Sequence, residues 1–190
     1  MVALHYFLGV EVLSTNTSLF LTQHKYIRDL LDRTNMSGPK ETHTPMATSQ
    51  SLCLAYGSPS IDVSFTINKL AQFMHYPSET HWAVAKRLLC YLKNTLRHGL
   101  LLRRNQPLNL HAFSNSDWAG NRDYRTSTTA YIVYLGNNTI SWCSQKQKTI
   151  DRSSTESEYR AIASTTAELT SISSLLTELG ITMSQPDFIL

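Results

Sequence analysis

Between residues 108 and 179 the hydrophobic period of the chain changes from two to about 3.6, and no single class of secondary structure accommodates both. Leu108, Leu110 and Ala112 alternate with polar neighbours, an apolar run follows at 131–135 and another segment of the same kind at 139–143, so three strands are predicted. Gly136, Asn137 and Asn138 tolerate positive φ, which makes the second and third strands a hairpin. Residues 154–179 then read as one long helix with Tyr159, Ile162, Thr166, Leu169 and Leu176 on its inward stripe, and Gly180 ends it. Past Pro186, residues 188–190 open one more strand. Strand, strand, strand, helix, strand predicts an α/β layout.

The preceding half is of α+β type. Residues 5–12 and 19–21 have strand composition around a turn at 14–18, which predicts a hairpin. From Gln23 the spacing of Tyr26, Ile27, Leu30 and Leu31 is helical, with Gly38-Pro39 as the stop. Residues 42–60, rich in Thr, Ser and Pro, read as a loop or linker. A helix over 63–76 places Ile67, Leu70, Ala71 and Met74 on one face. Pro77 stops it, and Ser78 caps another helix that runs to about Thr95. That helix turns Trp82, Ala85, Leu88, Leu89 and Leu92 inward and leaves Lys86, Arg87 and Lys93 toward solvent or a ligand. Three parts follow: 1–60, 61–104 and 105–190.

A chain of 190 residues with 42% apolar and 16% charged side chains has enough apolar surface for a core, which excludes the disordered and collagenous classes. Its longest apolar runs fall far short of the ~20 residues that span a bilayer, and no signal-peptide pattern follows Met1, so an intracellular protein without a membrane role is expected. Cys53, Cys90 and Cys143 form no CxxC pair and are expected to be reduced thiols. The absence of GxGxxG, GxxxxGK[ST], GxSxG and HExxH excludes phosphate loops and nucleophile elbows.

Charge is unevenly spread. Residues 86–152 carry eleven cations against three anions, Asp117, Asp123 and Asp151. Such a stripe suits a polyanion, because neutralised phosphates release condensed counterions. A solvated face is the other reading of the same residues.

Two acidic spots remain as candidates for chemistry: AFSNSDWAG at 112–120, ending the first strand of the second half, and RSSTESEYRA at 152–161, opening the long helix. Ser153 with Glu156, and Thr155 with Glu158, both fit capping boxes. Glu158 precedes Ile162 by four residues and so falls on the predicted inward stripe, whereas Glu156 lies about 200° around the helix from it. A carboxylate aimed at the sheet is costly unless a cation or metal accompanies it, which singles out Glu158.

SNSDWAG, together with the long string from RTSTTAYIVYLGNNTISWCSQKQKTIDRSSTESEYRA to LTELG, resembles the ribonuclease H region of copia-type retrotransposon polyproteins. HYFLGVEV, LFLTQHKYIRDLL, TPM and QFMHYPSETHWAVAKRLLCYLKNT are similar to the end of the reverse transcriptase and its connection to that region. The resemblance implies a ribonuclease H-like mixed sheet, incomplete here, preceded by a hairpin-and-helix connection region. It also implies cleavage of the RNA strand of an RNA–DNA hybrid by two magnesium ions held on carboxylates, for which hard oxygen ligands are needed.

Carried over by motif, the helix carboxylate falls on Glu158 and the first-strand carboxylate on Asn115, a neutral amide and a weaker ligand. Asp117 shares a strand face with Asn115, roughly 6 to 7 Å along, and with Glu158 is the expected metal ligand. A third carboxylate would fall just past Leu190, a helical stretch typical of the family is absent between Tyr56 and Asp62, and the polymerase aspartates would precede Met1. The implied reading is a Pol fragment with its chemistry lost. Its alternatives are a nucleic-acid-binding module using residues 86–152, or a nuclease completed by a partner chain. With its last strand only begun, the domain is expected to leave part of the long helix's apolar stripe exposed, giving marginal folding or self-association.

Overall fold

A computed structural model describes residues 5–46, 59–120, 124–181, 183 and 188–189. The chain divides into two compact units, Met1–Leu102 and Arg103–Leu190.

The first unit begins with a sheet in the order β1 (Tyr6–Phe7), β2 (Val10–Ser14), β3 (Ser18–Thr22), β4 (Leu100–Arg103). The single strand expected over 5–12 is two, because Leu8 and Gly9 both take positive φ, 48° and 82°, and fold the chain back on itself. The turn into β3 is held by Thr15, whose Oγ1 accepts from the amides of Thr17 and Ser18. β4 was not legible as a strand. Gly99 precedes it beneath Phe20 and the Leu21 carbonyl, and a Cβ at that position would collide with backbone.

α1 (His24–Arg33) ends earlier than Gly38-Pro39 suggests. Asn35 (φ 54°) supplies the left-handed residue, with Asn35 N–H bonded to the Asp32 carbonyl and Met36 N–H to that of Leu31. This Schellman pairing brings Met36 onto Leu31, and both enter a buried cluster with Cys90. Tyr26, expected inside, is half exposed.

α2 (Pro59–Ala71) ends five residues before the expected bound of 76, in turns bonded Phe73 N–H to the Leu70 carbonyl and Tyr76 N–H to that of Phe73, so Pro77 is not its stop; α3 (Glu79–Asn94) follows Ser78. Ser78 caps α3 as expected, in a capping box completed by the His81 ring. The α2 stripe is rotated from expectation, whereas the α3 stripe holds at Leu88, Leu89 and Leu92 and fails at Trp82. Ile67, Met74 and Trp82 are exposed, while Thr66, Leu88, Cys90 and Tyr91 are buried. Nor are two of the three outward cations free: Arg87 donates to Thr44 Oγ1 at 2.7 Å and Lys93 to the Pro39 carbonyl at 3.0 Å, fastening that segment along α3. The rest of the expected linker up to α2, residues 47–58, lies outside the described residues, as does Cys53; Cys90 and Cys143 are free thiols.

The second unit is a four-stranded sheet in the order β7 (Asn138–Lys146), β6 (Thr128–Leu135), β5 (Leu110–Asp117), β8 (Phe188–Ile189), with α4 (Ser154–Glu178) packed on one face. β5, β6 and β7 are antiparallel, and β8 runs parallel to β5. The sheet is therefore mixed, and the order of elements expected from the periodicity is present. The three long strands run on through 113–117, 128–130 and 144–146, positions that are mostly polar and carry little hydrophobic signal, and β5 begins at Leu110 rather than Leu108. Gly136, at φ 59°, opens the two-residue turn of the β6–β7 hairpin and leaves no room for a Cβ against Pro107.

The inward face of α4 differs from the expected stripe. Tyr159, Ile162 and Thr166 are exposed, and the buried positions are Ser157, Ala161, Thr165, Leu169 and Leu176. Small side chains let the first half of the helix approach the sheet closely, so bulk was the wrong guide there. Leu169 joins Leu110, Ala112 and Val133 in the core. Gly180, at φ 74°, ends the helix as expected, with Ile181 N–H returning to the Leu176 carbonyl. No helix among the described residues is long and apolar enough to cross a membrane.

Candidate functional site

The alternation of β5 decides what its last residues face. Leu110 and Ala112 are buried under α4, so Ser114 and Ser116 point the same way, while His111, Phe113, Asn115 and Asp117 occupy the opposite face. Ser116 Oγ donates to Ser157 Oγ at 2.6 Å, and Ser157 Oγ donates to the Ser154 carbonyl at 2.7 Å. This seats the first turn of α4 on the end of β5.

The Ser116 amide is the point of convergence. It donates to Asn115 Oδ1 at 2.6 Å and to Glu158 Oε1 at 3.3 Å, so two of the three residues singled out from the sequence are brought to one backbone group. Glu158 reaches it from the edge of the buried stripe; the reason offered from Ile162 fails, because Ile162 is exposed. Asp117 lies one strand pair further on, opposite Thr128, and packs against Gly120, where a Cβ would overlap its carboxylate. Among the described residues, no group of three or more His, Cys, Asp or Glu side chains is placed to hold a metal ion.

Of the two possible capping boxes, only the first partners are used. Ser153 Oγ accepts from Glu156 N–H, and Glu156 takes the Arg152 amide at 2.8 Å and Arg160 Nη2 at 2.9 Å. The Arg152 amide, and after it Arg160, hold the Glu156 carboxyl below the usual carboxylate range. Glu158 is left out of the cap and free to face β5.

No motif or period in the chain points to the residue that organises this end. Asp151 is buried, accepts from Ser127 Oγ at 2.5 Å and pairs with Arg160 Nε at 2.8 Å. Its carbonyl accepts from Trp118 Nε1, and Ser127 Oγ accepts from Ala119 N–H. The turn after Asp117, the residue before β6 and the first turns of α4 thus converge on Asp151, through its backbone carbonyl and its carboxylate. Gln147 adds a second tie, donating to Thr129 Oγ1 and to the Ser157 carbonyl.

The basic stretch is distributed over both units. Lys86, Arg87, Lys93 and Arg97 belong to the first, and Arg103, Arg104, Arg125, Lys146, Lys148 and Arg152 to the second. Lys86 lies over the Trp82 ring and Lys146 over that of Tyr124.

Comparison with known proteins gives a consistent answer. The chain is 47% identical to the Retrovirus-related Pol polyprotein from transposon RE1 of Arabidopsis thaliana over 98% of its own length, and 30% identical to that from transposon TNT 1-94 of Nicotiana tabacum over 92%. It is also 40% identical to the mitochondrial protein AtMg00810 of Arabidopsis thaliana, over 87% of this chain and 77% of that protein. The chain belongs to the retrovirus-related Pol polyproteins of transposons. No family model and no solved structure matches it. This Pol chain spans 14% of the RE1 polyprotein and 15% of the TNT 1-94 polyprotein.

Within this Pol chain, then, Asn115 and Glu158 are together and Asp117 stands beside them, separated by the strand's pleat. Ser116, Ser127, Ser157 and Asp151 were missed. Three are serines in a serine-rich sequence, and the fourth was counted only as one of three anions in a basic stretch.

Proposed function

We propose that Arg103–Leu190 is the ribonuclease H-like part of a copia-type Pol polyprotein, following the end of a reverse transcriptase, and that it holds RNA–DNA hybrids without cutting them. The observation that carries this reading is the Asn115–Ser116–Glu158 convergence. Where the resemblance calls for a carboxylate beside Glu158 there is a neutral amide, and its oxygen is already engaged by a backbone N–H.

The donor set does not fit a pair of magnesium ions. Two such ions need several anionic oxygens in one place, and this end offers the Glu158 carboxylate with Asp117 displaced along the strand. What the residues can do is bind. Arg125, Lys146, Lys148 and Arg152 belong to the unit that carries the convergence, and cations of this kind suit phosphates.

The test is cleavage and binding of a labelled RNA–DNA hybrid by the full chain and by its Glu158→Gln variant, with magnesium and then manganese. Binding that weakens linearly in log salt, with no cleavage by either protein, is expected. Cleavage that disappears in Glu158→Gln would overturn the non-cutting reading, and salt-independent binding would overturn the phosphate reading.

A further inference from the structure

The first unit contains a cation held only by neutral groups. Arg87 of α3 donates through Nη2 to Thr44 Oγ1 at 2.7 Å, and its Nε is buried with no hydrogen-bond partner among the described residues. The ion pairs of the described residues are both made by Arg160, so no carboxylate lies within ion-pair distance of Arg87 among them. A guanidinium is a planar fork of donors that matches the oxygens of a carboxylate or phosphate, and one hydroxyl leaves most of that capacity unused.

The hydroxyl belongs to a segment already laid along α3. Thr42 Oγ1 donates to the Arg87 carbonyl at 3.3 Å, Thr42 N–H to the Cys90 carbonyl at 3.4 Å, and Lys93 Nζ to the Pro39 carbonyl at 3.0 Å. Thr44 itself is exposed and lies outside helix and strand, so its Oγ1 is open to a second reactant. Pro45 follows it and disfavours helical backbone at Thr44, which keeps the residue extended. An exposed, extended threonine followed by proline is the pattern read by proline-directed kinases. Ser58-Pro59 repeats the pattern in the sequence, with Ser58 outside the described residues.

We infer that Thr44 is a phosphorylation site and that Arg87 is the residue that holds the phosphate. In the modification, Thr44 Oγ1 forms a bond to the γ-phosphorus of ATP, the bond from that phosphorus to ADP breaks, and the hydroxyl proton passes to the base of the kinase. The product brings anionic oxygens to a guanidinium that has a neutral partner, and charge-assisted bonds of this kind are roughly twice as strong as neutral ones. The segment is then held more firmly on α3. None of this depends on hybrid binding.

The test treats the full chain, its Thr44→Ala variant and its Arg87→Gln variant with a proline-directed kinase and ATP, and maps the phosphate by mass spectrometry. Hydrogen exchange of the Thr42 amide, which opens when the segment lifts, is followed before and after. Circular dichroism establishes that the variants are folded. Phosphate at Thr44 is expected, with exchange roughly 5- to 50-fold slower in the modified parent and unchanged in the treated Thr44→Ala and Arg87→Gln chains. A parent that takes no phosphate at Thr44, or takes it only at Ser58, overturns the inference. So does equal slowing in either variant, or faster exchange in the modified parent, since the phosphate then acts elsewhere or expels the segment. Inorganic phosphate added to the unmodified chains distinguishes the other source of the same anion: slowing in parent and Thr44→Ala alike would make a free phosphate the ligand of Arg87 and overturn Thr44 as its carrier.

Discussion

Along α4 the first half rests on the sheet through Ser157, Ala161 and Thr165, and the second through Leu169, Ile172 and Leu176. In the second half the contact is apolar, with Leu110, Ala112 and Val133 opposite, and each such side chain buried contributes roughly 1.5–3 kcal/mol. In the first half the contact is a set of directional bonds, Ser116 to Ser157, Gln147 to the Ser157 carbonyl, and Ser127 and Arg160 to Asp151. Each is worth only about 1 kcal/mol net, but each fixes position. The comparison teaches that the apolar half supplies the stability while the polar half sets where Glu158 and Asn115 stand.

The largest expected effect tests the apolar half. Leu110 is fully buried, and Leu110→Ala is expected to cost roughly 2–5 kcal/mol, seen in urea titration as an earlier transition of the second unit with that of the first unmoved. A uniform shift of all signals would mean the two units unfold as one.

Next comes Asp151→Ala, which leaves buried Ser127 without its acceptor and Arg160 with Glu156 alone. A loss of roughly 1–3 kcal/mol is expected. Trp118 fluorescence should shift as well, because Ser127 Oγ, which holds the Ala119 amide next to Trp118, loses its acceptor. A stability loss with Trp118 unchanged would break the positional role given to the polar half.

Ser157→Ala removes the bond to Ser116 with little change of volume and is expected to cost about 1 kcal/mol. If it cost as much as Leu110→Ala, the division between the halves would fail.

The smallest effect sharpens the boundary between them. Tyr131 lies on the α4 face between Ser114 and Cys143, and burial, followed by Cys143 and Glu168, pushes its phenol up to about 12. The folded state keeps this proton while the unfolded chain releases it, so the contribution is whole below pH about 10 and is lost as pH rises from about 10 to about 12. Absorbance titration of tyrosinate should show one late step that Tyr131→Phe removes.

Legibility followed the same division. The hairpin at Gly136, the caps at Ser78 and Ser153, the Gly180 terminus and the order of elements in the second unit could be read because each depends on a residue type or a period in a short window. Asn115 was found through a motif resemblance, and Glu158 first through its place on the predicted helix stripe and then through the same resemblance. The stripe of α4 was misread at Tyr159 and Ile162 because hydrophobicity points to bulk, whereas close helix–sheet approach selects Ser157, Ala161 and Thr165. Asp151 was invisible, since its meaning depends on Ser127 and Arg160, 24 and 9 positions away.

By itself, then, the sequence determined the local elements of this Pol chain, their order, and the neutral amide at Asn115. These rest on φ preferences, period and residue chemistry, which act within a few residues. Only the tertiary structure decided that Asn115 and Glu158 share the Ser116 amide, that Asp151 ties three segments together, and that the rings of His111, Phe113 and Tyr134 form one face. Those depend on strand register and helix approach, and register sets which residues meet only after distant segments have paired.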